Sequence, residues 1–376
     1  MCIAPRIPEI QDNLHLSNGK FGTYLALGAI GSMIALIIIG DVVHKIGVRT
    51  VLIGSASFMY GLIAWVPHMH SATLWFWVNI GIGFCISAFH ISVNAQAIHR
   101  QEETGELLLP RFHGLWSSGA VTSAAIALVI TDFTPLTWHV DGLLLMCWTI
   151  SMYAIYKLNP ILMGPAPADD EHPATSLKSI LASFTFEPLV NFGMLMAIQI
   201  EFMVNDWATI YAKKTLHMGA SISILIYFVF VISMISIRFS INRLFTIRPE
   251  RFWMFWNPIV GGVGFLTLLL TGAKVSHSHQ TFGFIITLFA FIFAGIGCSF
   301  ILPGFFGIAA RRSNLPGGVV VARLGLVNTV LVLLVKLVIS SVAAKSVTAA
   351  FIIPGVMLIL TAATAFLGSS EKQVRA

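Results

Sequence analysis

Apolar runs of roughly twenty residues recur along almost the whole chain, with short polar segments between them. Hydrophobic residues make up 57% of the sequence and charged residues only 10%, whereas a soluble domain carries about 25% charged residues. Because so few charges cannot cover a water-exposed exterior, most of the chain is expected to face lipid or other helices. A chain of 376 residues has room for roughly ten to twelve membrane-spanning helices of about 20 residues each.

The runs predict an all-α bundle of transmembrane helices. They are much longer than the ~10 residues of a transmembrane barrel strand, and they do not alternate apolar with polar residues. We predict eleven spans, at residues 21–41, 50–66, 72–97, 112–131, 138–158, 188–211, 219–241, 253–272, 281–306, 317–342 and 346–368. The lipid bilayer is therefore the first partner that the sequence implies.

The basic residues predict the orientation in the membrane. Of the 22 Lys and Arg residues, 14 fall on one side of the predicted bundle, Arg238 and Arg243 among them, and 6 on the other. The side richer in basic residues is normally cytoplasmic, which puts the N-terminus outside and the C-terminus inside. This topology explains the net charge of +6, so no nucleic-acid partner is predicted.

One polar segment divides the spans into two groups. The stretch "NPILMGPAPADDEHPATSLKS" from Asn159 is rich in proline and acidic residues, which is typical of a linker. We predict an N-terminal bundle over 1–158, a cytoplasmic linker over 159–187 and a C-terminal bundle over 188–376. Lys45 in "GDVVHKIGVR" and Arg243 in "RFSINRLFTIR" occupy corresponding loops. Such weak internal repeats are a feature of many transporter folds.

Two carboxylates interrupt the span that contains "QIEFMVNDWATIY". A charged residue at mid-span costs about 2.5–3.5 kcal/mol, so Glu201 is expected to face a polar path, pair with a cation or carry a proton. At ~100° per residue Asn205 lies on the same side, whereas Asp206 lies roughly 140° round the helix. The alternative is structural, with Glu201 bonded to a neighbouring helix and Asp206 at the outer interface.

Further polar and aromatic side chains within the spans are candidates for the same path. Histidine titrates near neutral pH, and an arginine inside a span neutralises a carboxylate or an anionic substrate. Each of these residues also has a structural alternative, as a packing group or as a basic side chain that reaches the interface. The candidate path consists of Glu201, Asn205, Asp206, Gln199, His90, Asn94, His113, Trp116, Trp207, Arg323 and Asn328.

Metal, cofactor and enzyme chemistry find little support in the sequence. His68 with His70 and His277 with His279 form two His-x-His pairs, but no cysteine or carboxylate lies at a useful spacing for a metal ion. The nucleotide-binding pattern Gly-x-x-x-x-Gly-Lys-Ser/Thr is absent, as are His-Glu-x-x-His and Gly-x-Ser-x-Gly. No cofactor, no metal, no ATP-driven step and no enzymatic activity are predicted.

The segment "GDVVHKIGVR" resembles the loop motif between helices 2 and 3 of the major facilitator superfamily, Gly-x-x-x-Asp-Arg/Lys-x-Gly-x-Arg. Gly40, Lys45, Gly47 and Arg49 match this motif, and His44 stands where the family usually has aspartate. Within that family the chain is similar to the branch typified by the inner-membrane protein YbjJ. The matching pieces are "RIPEI", "NAQ", "FHGLWSSG", "EFMVNDW" and "GIGCSFILP".

The resemblance implies a two-bundle fold that moves a small solute by alternating access, with protons as the coupling ion. The family has twelve helices and "RIPEI" follows the first of them, so the chain is expected to lack that helix. The expected protein is a monomer in a bacterial inner membrane. The residues implied for gating are Gly40, Asp41, His44, Lys45, Gly47, Arg49 and Arg243. The alternatives are a membrane sensor without transport and an inactive, truncated transporter.

Overall fold

The computed structural model describes residues 3–104, 109–165, 188–301, 304–305, 308 and 317–370. These ranges are helical and contain no β-strand, as the apolar runs predict. The predicted linker lies mostly outside the described residues, as do most of residues 302–316. The α-helices are α1 (Ile7–Asn13), α2 (Asn18–Leu27), α3 (Ala29–Trp65), α4 (Ala72–Thr104), α5 (Leu109–Ile130), α6 (Leu136–Leu158), α7 (Pro188–Ile210), α8 (Ala220–Ile247), α9 (Glu250–Ser276), α10 (Gln280–Cys298), α11 (Gly317–Ala343) and α12 (Val347–Ser370).

Eight segments of the described chain are long and apolar enough to cross a membrane. The first of them, Asn18–His68, has 51 residues and would measure about 76 Å as one helix, more than twice the ~30 Å hydrocarbon core. It makes two crossings, because the backbone leaves the helical conformation at Gly47. With α5 and α6, which fall short of these criteria, the described ranges hold eleven helical segments that correspond in order to the eleven predicted spans.

The turn at Gly47 is tied to the chain that follows α6. Gly47 has φ +80° and ψ 157°, a conformation that costs L-residues energy and that glycine adopts freely. A Cβ atom there would lie 3.1–3.2 Å from the backbone of residues 163–165. The Gln96 side chain on α4 donates to the Ile161 carbonyl and accepts from the Met163 N–H, both at 2.8 Å. The glycine of the loop motif is therefore required by this close approach.

The helices of the two halves meet along two seams. Helix α2 packs along α11, and α5 packs along α8; we call these contacts the α2–α11 seam and the α5–α8 seam. Helix α7 packs against α8, α11 and α12 of its own half and also touches α1. A residue on α7 therefore has access to both seams, depending on the face of the helix that it occupies.

One end of the bundle is held closed by polar contacts between the halves. This end carries the turns at residues 66–71, 131–135, 216–219 and 344–346; we call it the outer end, after the orientation predicted from the basic residues. Asp12 forms ion pairs with Lys214 at 2.6 Å and Lys213 at 3.5 Å, and Lys214 also donates to the Gln11 side chain at 2.9 Å.

Two further contacts close the outer end. The Thr209 hydroxyl at the end of α7 donates to the Ala4 carbonyl at 3.2 Å. The Asp132 carboxylate accepts from the Ser221 N–H at 3.2 Å, and a carboxylate at the N-terminus of a helix is favourable because of the free N–H groups and the helix dipole. Both contacts join the first half of the chain to the second.

The "RIPEI" segment is a folded element at this outer end. Arg6 is only 1% exposed and makes two hydrogen bonds of 2.7 Å to the Glu9 carboxylate. It also donates to the Thr134 carbonyl at 3.1 Å and lies 3.2 Å from His139 Nδ1. Bidentate arginine–carboxylate pairing of this kind fixes geometry well, so Arg6 anchors the start of the chain to α6 and the turn before it.

Candidate functional site

The polar residues of α7 occupy two faces of the helix, as the helical spacing predicts. Glu201 and Asn205 line a cavity with residues of α5 and α8. Gln199 and Asp206 line a second cavity with residues of α2 and α11. We call them the first cavity and the second cavity. Each holds about 10 Å³, which is room for one water molecule.

Glu201 is paired with a cation from the neighbouring helix. Arg238 of α8 lies 3.4 Å from the Glu201 carboxylate, and both side chains are 23% exposed. Arg238 also donates to the Ser299 carbonyl at 2.6 Å and to the Ser117 hydroxyl of α5 at 3.1 Å. The arginine therefore joins the carboxylate of α7 to the opposite half across the α5–α8 seam.

Arg238 was counted with the basic residues of the cytoplasmic side, although the predicted span 219–241 includes it. In the structure α8 continues to Ile247. Arg238 thus lies more than two turns inside the helix, where an arginine needs a partner. The signal that pointed to it was Glu201 itself, since a carboxylate deep in a span calls for a nearby cation.

The first cavity combines a carboxylate with aromatic walls. It is lined by Trp116, Ser117, Ala120, Glu201, Asn205, Tyr227, Phe230, Val231 and Met234. The Asn205 amide donates to the Glu201 carbonyl one turn earlier at 2.9 Å. Trp116 is 43% exposed and meets the His90 ring edge-on at a centroid distance of 4.1 Å. His90 therefore orients the indole that forms one wall of the cavity.

Two other candidates belong to the same region of the fold. Asn94 lies on α4 one turn from His90 and is half-buried. His113 lies on α5, but its side chain is outside the described part of the structure.

Asp206 pairs with a lysine on the other side of α7. Lys336 of α11 lies 2.6 Å from the Asp206 carboxylate, and the two side chains are 18% and 15% exposed, respectively. The lysine ammonium also lies 5.1 Å from the centroid of the Phe202 ring. Lys336 lies within the predicted span 317–342, and in the structure its ammonium group points to this half-buried carboxylate.

The Gln199 side chain lines the second cavity. It is 0% exposed, and neither its amide nitrogen nor its amide oxygen has a hydrogen-bond partner among the described residues. Gly22, Phe202, Met203, Trp207, Ile339 and Ser340 complete the wall beside the Asp206–Lys336 pair. An unsatisfied buried polar group costs about 1–3 kcal/mol, so Gln199 marks the second cavity as a place where a polar partner is favoured.

The remaining path candidates lie on α11. Asn328 is 8% exposed, and its amide nitrogen lies 3.8 Å from the sulfur of Met194 on α7. Arg323 belongs to α11, and its side chain is outside the described part. The candidate path therefore divides into the two cavities of α7 and a packing contact at Asn328.

Six of the seven predicted gating residues lie on α3 around the turn at Gly47, and the seventh, Arg243, lies near the end of α8. Lys45, Arg49 and Arg243 are exposed, Gly40 is exposed within α3, and Asp41 and His44 are half-buried. Their roles as gate residues stay predictions. Among the described residues, no cluster of three or more His, Cys, Asp or Glu residues is placed to hold a metal ion, and His68 instead pairs with Asp141 at 2.9 Å.

Comparison with known proteins identifies the family. The sequence model of the Major Facilitator Superfamily matches residues 1–335 of this chain. An uncharacterized transporter of Sinorhizobium fredii is 24% identical over 346 residues, which cover 86% of this chain and 81% of that protein. This relative and the family are transporters, not enzymes.

Solved structures share the fold across almost the whole chain. A mutant of the nucleoside transporter NupG superposes with a TM-score of 0.70 at 12% identity, covering 97% of this chain and 94% of its own. A D-xylose–proton symporter superposes with a TM-score of 0.69 at 16% identity, covering 97% and 92%. With eight helical segments long and apolar enough to cross a membrane among the described residues and a family match over most of its length, the chain belongs to the Major Facilitator Superfamily and is a multi-pass membrane transporter.

Proposed function

We propose that the protein is a secondary active transporter that moves a small neutral solute along a path that widens from the first cavity when the halves part, and that it couples this movement to protons at Glu201. The bundles over 1–158 and 188–376 would rock against each other along the two seams, as in alternating access. The closed outer end supports one end state of this cycle. Gly40, Asp41, His44, Lys45, Gly47, Arg49 and Arg243 are proposed to form the gate at the opposite, cytoplasmic end.

The observation that carries the proposal is the position of Arg238 between Glu201 and Ser117. When Glu201 binds a proton, it loses the charge that attracts the guanidinium. Arg238 then changes its balance between the carboxylate on α7 and the hydroxyl on α5. A proton at Glu201 would thus alter the contact across the α5–α8 seam, which is the kind of link that coupling requires.

The chemistry of the first cavity favours a neutral solute. Glu201 and Arg238 neutralise each other, so an ionised ligand would meet no uncompensated charge from this pair. Trp116, Tyr227 and Phe230 offer aromatic faces, and Asn205 adds an amide. Sugars and nucleosides present apolar faces and hydroxyl groups that suit such walls, and the likeness to a xylose–proton symporter and a nucleoside transporter supports the same class.

A thermal-stability screen of the purified protein would identify the solute class. The panel holds sugars, nucleosides, amino acids, carboxylates and hydrophobic drugs, at mildly acidic and at neutral pH. A ligand present at 100 times its dissociation constant stabilises the folded state by about 2.7 kcal/mol. We expect a sugar or nucleoside to raise the melting temperature, and a response confined to carboxylates would contradict the neutral-solute proposal.

The coupling role is tested with Glu201→Gln in proteoliposomes, using the compound that the screen identifies. We expect the variant to fold and to bind the solute, but to lose uptake driven by a pH gradient. Glu103→Gln is the matched control, because Glu103 is 45% exposed at the end of α4 and should leave uptake unchanged. Uptake by Glu201→Gln that still follows the pH gradient would exclude Glu201 as the coupling residue.

A further inference from the structure

We infer that the second cavity is a separate proton-binding site, in which Asp206 takes up a proton through one water molecule held by Gln199. The inference deepens the proposed function, because it adds a second coupling group to a proton-coupled transporter. It rests on different residues, on the opposite face of α7 and at the other seam.

The first step is that the cavity fits one water molecule and offers it partners. Its volume is about 10 Å³, and a buried water needs that space and about two to four polar neighbours. Gln199 supplies an amide donor and an amide acceptor that have no partner among the described residues, and Asp206 lines the same cavity. A water molecule there would satisfy Gln199 and connect it to the carboxylate.

The second step is that Asp206 is the acid that this water serves. Among the residues that line the second cavity, Asp206 and Lys336 alone carry ionisable groups. On the same helix, Glu201 belongs to the first cavity, where Arg238 of α8 faces it. In the helical turn directly after α7, Lys213 and Lys214 pair with Asp12 of α1. Helices α10 and α12, which also pack on α7, carry no acidic or basic side chain.

The third step is that the opposite half covers this site. Asp206 and Lys336 both belong to the second half of the chain, and the first half contributes Gly22 of α2. A Cβ atom at Gly22 would lie 2.6 Å from the Ser340 hydroxyl and would also collide with the Trp207 ring. Because α2 fits so closely here, parting of the α2–α11 seam at the outer end would open the cavity to water.

The proton balance of the step is simple. A hydronium ion reaching the cavity gives its proton to the Asp206 carboxylate and remains as the water bound by Gln199. Lys336 keeps its three ammonium protons but loses its counter-charge, so the attraction between α7 and α11 weakens. The reverse transfer to water restores the ion pair.

Infrared difference spectroscopy of the purified full-length protein in lipid nanodiscs tests this site without a known substrate. Spectra are recorded between neutral and mildly acidic pH, in the region of the C=O stretch of protonated carboxyl groups. We expect Asp206→Asn to remove one band from the wild-type spectrum and Gln199→Leu to shift that band, because the hydrogen bond of the water is lost. Asp12→Asn is the matched control, since Asp12 also pairs with lysine but is 49% exposed; it should leave both the band and its frequency unchanged.

Asp206→Asn leaves the Lys336 charge without its partner, which can prevent folding. A second variant is therefore needed that removes both charges. The neutral pair Asp206→Asn with Lys336→Met removes both charges and should lack the same band. Persistence of that band in the variant that folds would overturn the inference. Glu201→Gln separates the two proposals: it should remove a different band, so that loss of only the Glu201 band refutes the second site and leaves the proposed function standing.

Discussion

The two halves of the molecule contribute different kinds of side chain to the two seams: the second half contributes ionised groups, and the first half contributes neutral ones. The second half supplies the ion pairs Glu201–Arg238 and Asp206–Lys336. At the same places the first half supplies neutral groups, namely Ser117 and Trp116 at the first cavity and Gly22 at the second. Both halves are built from similar apolar helices, so the difference concerns the site and not the scaffold.

This division suggests what a rocking motion would do. Each ion pair is internal to the second half, so separating the halves uncovers the pairs without pulling their partners apart. That matters because a buried charge that loses its partner is strongly destabilised. The first half acts as a cover whose fit decides when water reaches the carboxylates, and the second half carries the groups that respond.

Removal of Arg238 should lower stability and uptake more than any other of the proposed substitutions. It tests whether Glu201 in the second half needs a cation from the same half. Arg238→Gln leaves Glu201 without a counter-ion at 23% exposure, and loss of one partner of a buried pair costs about 3–5 kcal/mol. We expect a clear drop in the free energy of unfolding, measured by denaturant titration in detergent, together with loss of uptake.

Arg243→Gln is the control, because it lies on the same helix but is exposed, and it should change stability by no more than about 0.5 kcal/mol. The double variant Arg238→Gln with Glu201→Gln should recover most of the stability, since no lone charge remains. If Arg238→Gln and Arg243→Gln lowered the free energy of unfolding equally, the Glu201–Arg238 ion pair would add no more stability than an exposed arginine on the same helix. The second half would then not depend on its internal ion pair.

Gly22→Ala tests the cover that the first half provides. The added methyl group would collide with Trp207 and Ser340, and overpacking of this kind costs about 1–3 kcal/mol. We expect the α2–α11 seam to open at the outer end, measured as faster labelling of a cysteine placed at Ser340 on the seam.

The control for this substitution is Gly61→Ala on α3, where an added Cβ has no atom within 4 Å. It should leave both stability and labelling unchanged. Unaltered labelling in Gly22→Ala would mean that α2 does not seal the second cavity, and the picture of the first half as a cover would fail there.

Periodicity and composition were enough to predict the scaffold and part of the site. Long apolar runs predicted the helical crossings because backbone groups in lipid must be satisfied within the helix. The spacing of Glu201, Asn205 and Asp206 predicted that two of them share a face and the third does not, because 3.6 residues per turn fixes these directions. Gly47 stood out in a motif, and its positive φ explains why glycine occupies it.

The partners of the carboxylates were beyond such reasoning. Arg238 and Lys336 lie 37 and 130 residues from Glu201 and Asp206 in the chain, so only helix packing decides which cation meets which carboxylate. The unsatisfied amide of Gln199 is likewise a property of the packed state. In a membrane bundle the sequence reveals which groups need a partner, and the tertiary structure determines the partner.

Gly47→Ala should lower the melting temperature moderately. Together with Arg248→Ala, it allows the inner turns of the two halves to be compared. The Gly47 φ of +80° with ψ 157° lies in a region that is essentially restricted to glycine and costs another residue about 1–3 kcal/mol, and the new Cβ would press on residues 163–165. The corresponding turn in the second half, at Arg248, has an extended φ of −144° that any residue adopts. We expect Gly47→Ala to lower the melting temperature, whereas Arg248→Ala should leave it almost unchanged. A similar loss at both positions would remove this difference between the halves.

Asp12→Asn should have the smallest effect, because its ion pairs with Lys213 and Lys214 are partly solvated. Asp12 is 49% exposed and the lysines 29% and 31%, and such pairs contribute about 0.2–1 kcal/mol at most. We expect a slight increase in the labelling rate at the outer end, which high salt should reproduce in the wild-type protein by screening the pair. Because these exposed pairs join the two halves while the buried pairs lie within one half, a large effect of Asp12→Asn would reverse the comparison: the halves would then be held closed by charge at the rim, not by the fit of neutral groups along the seams.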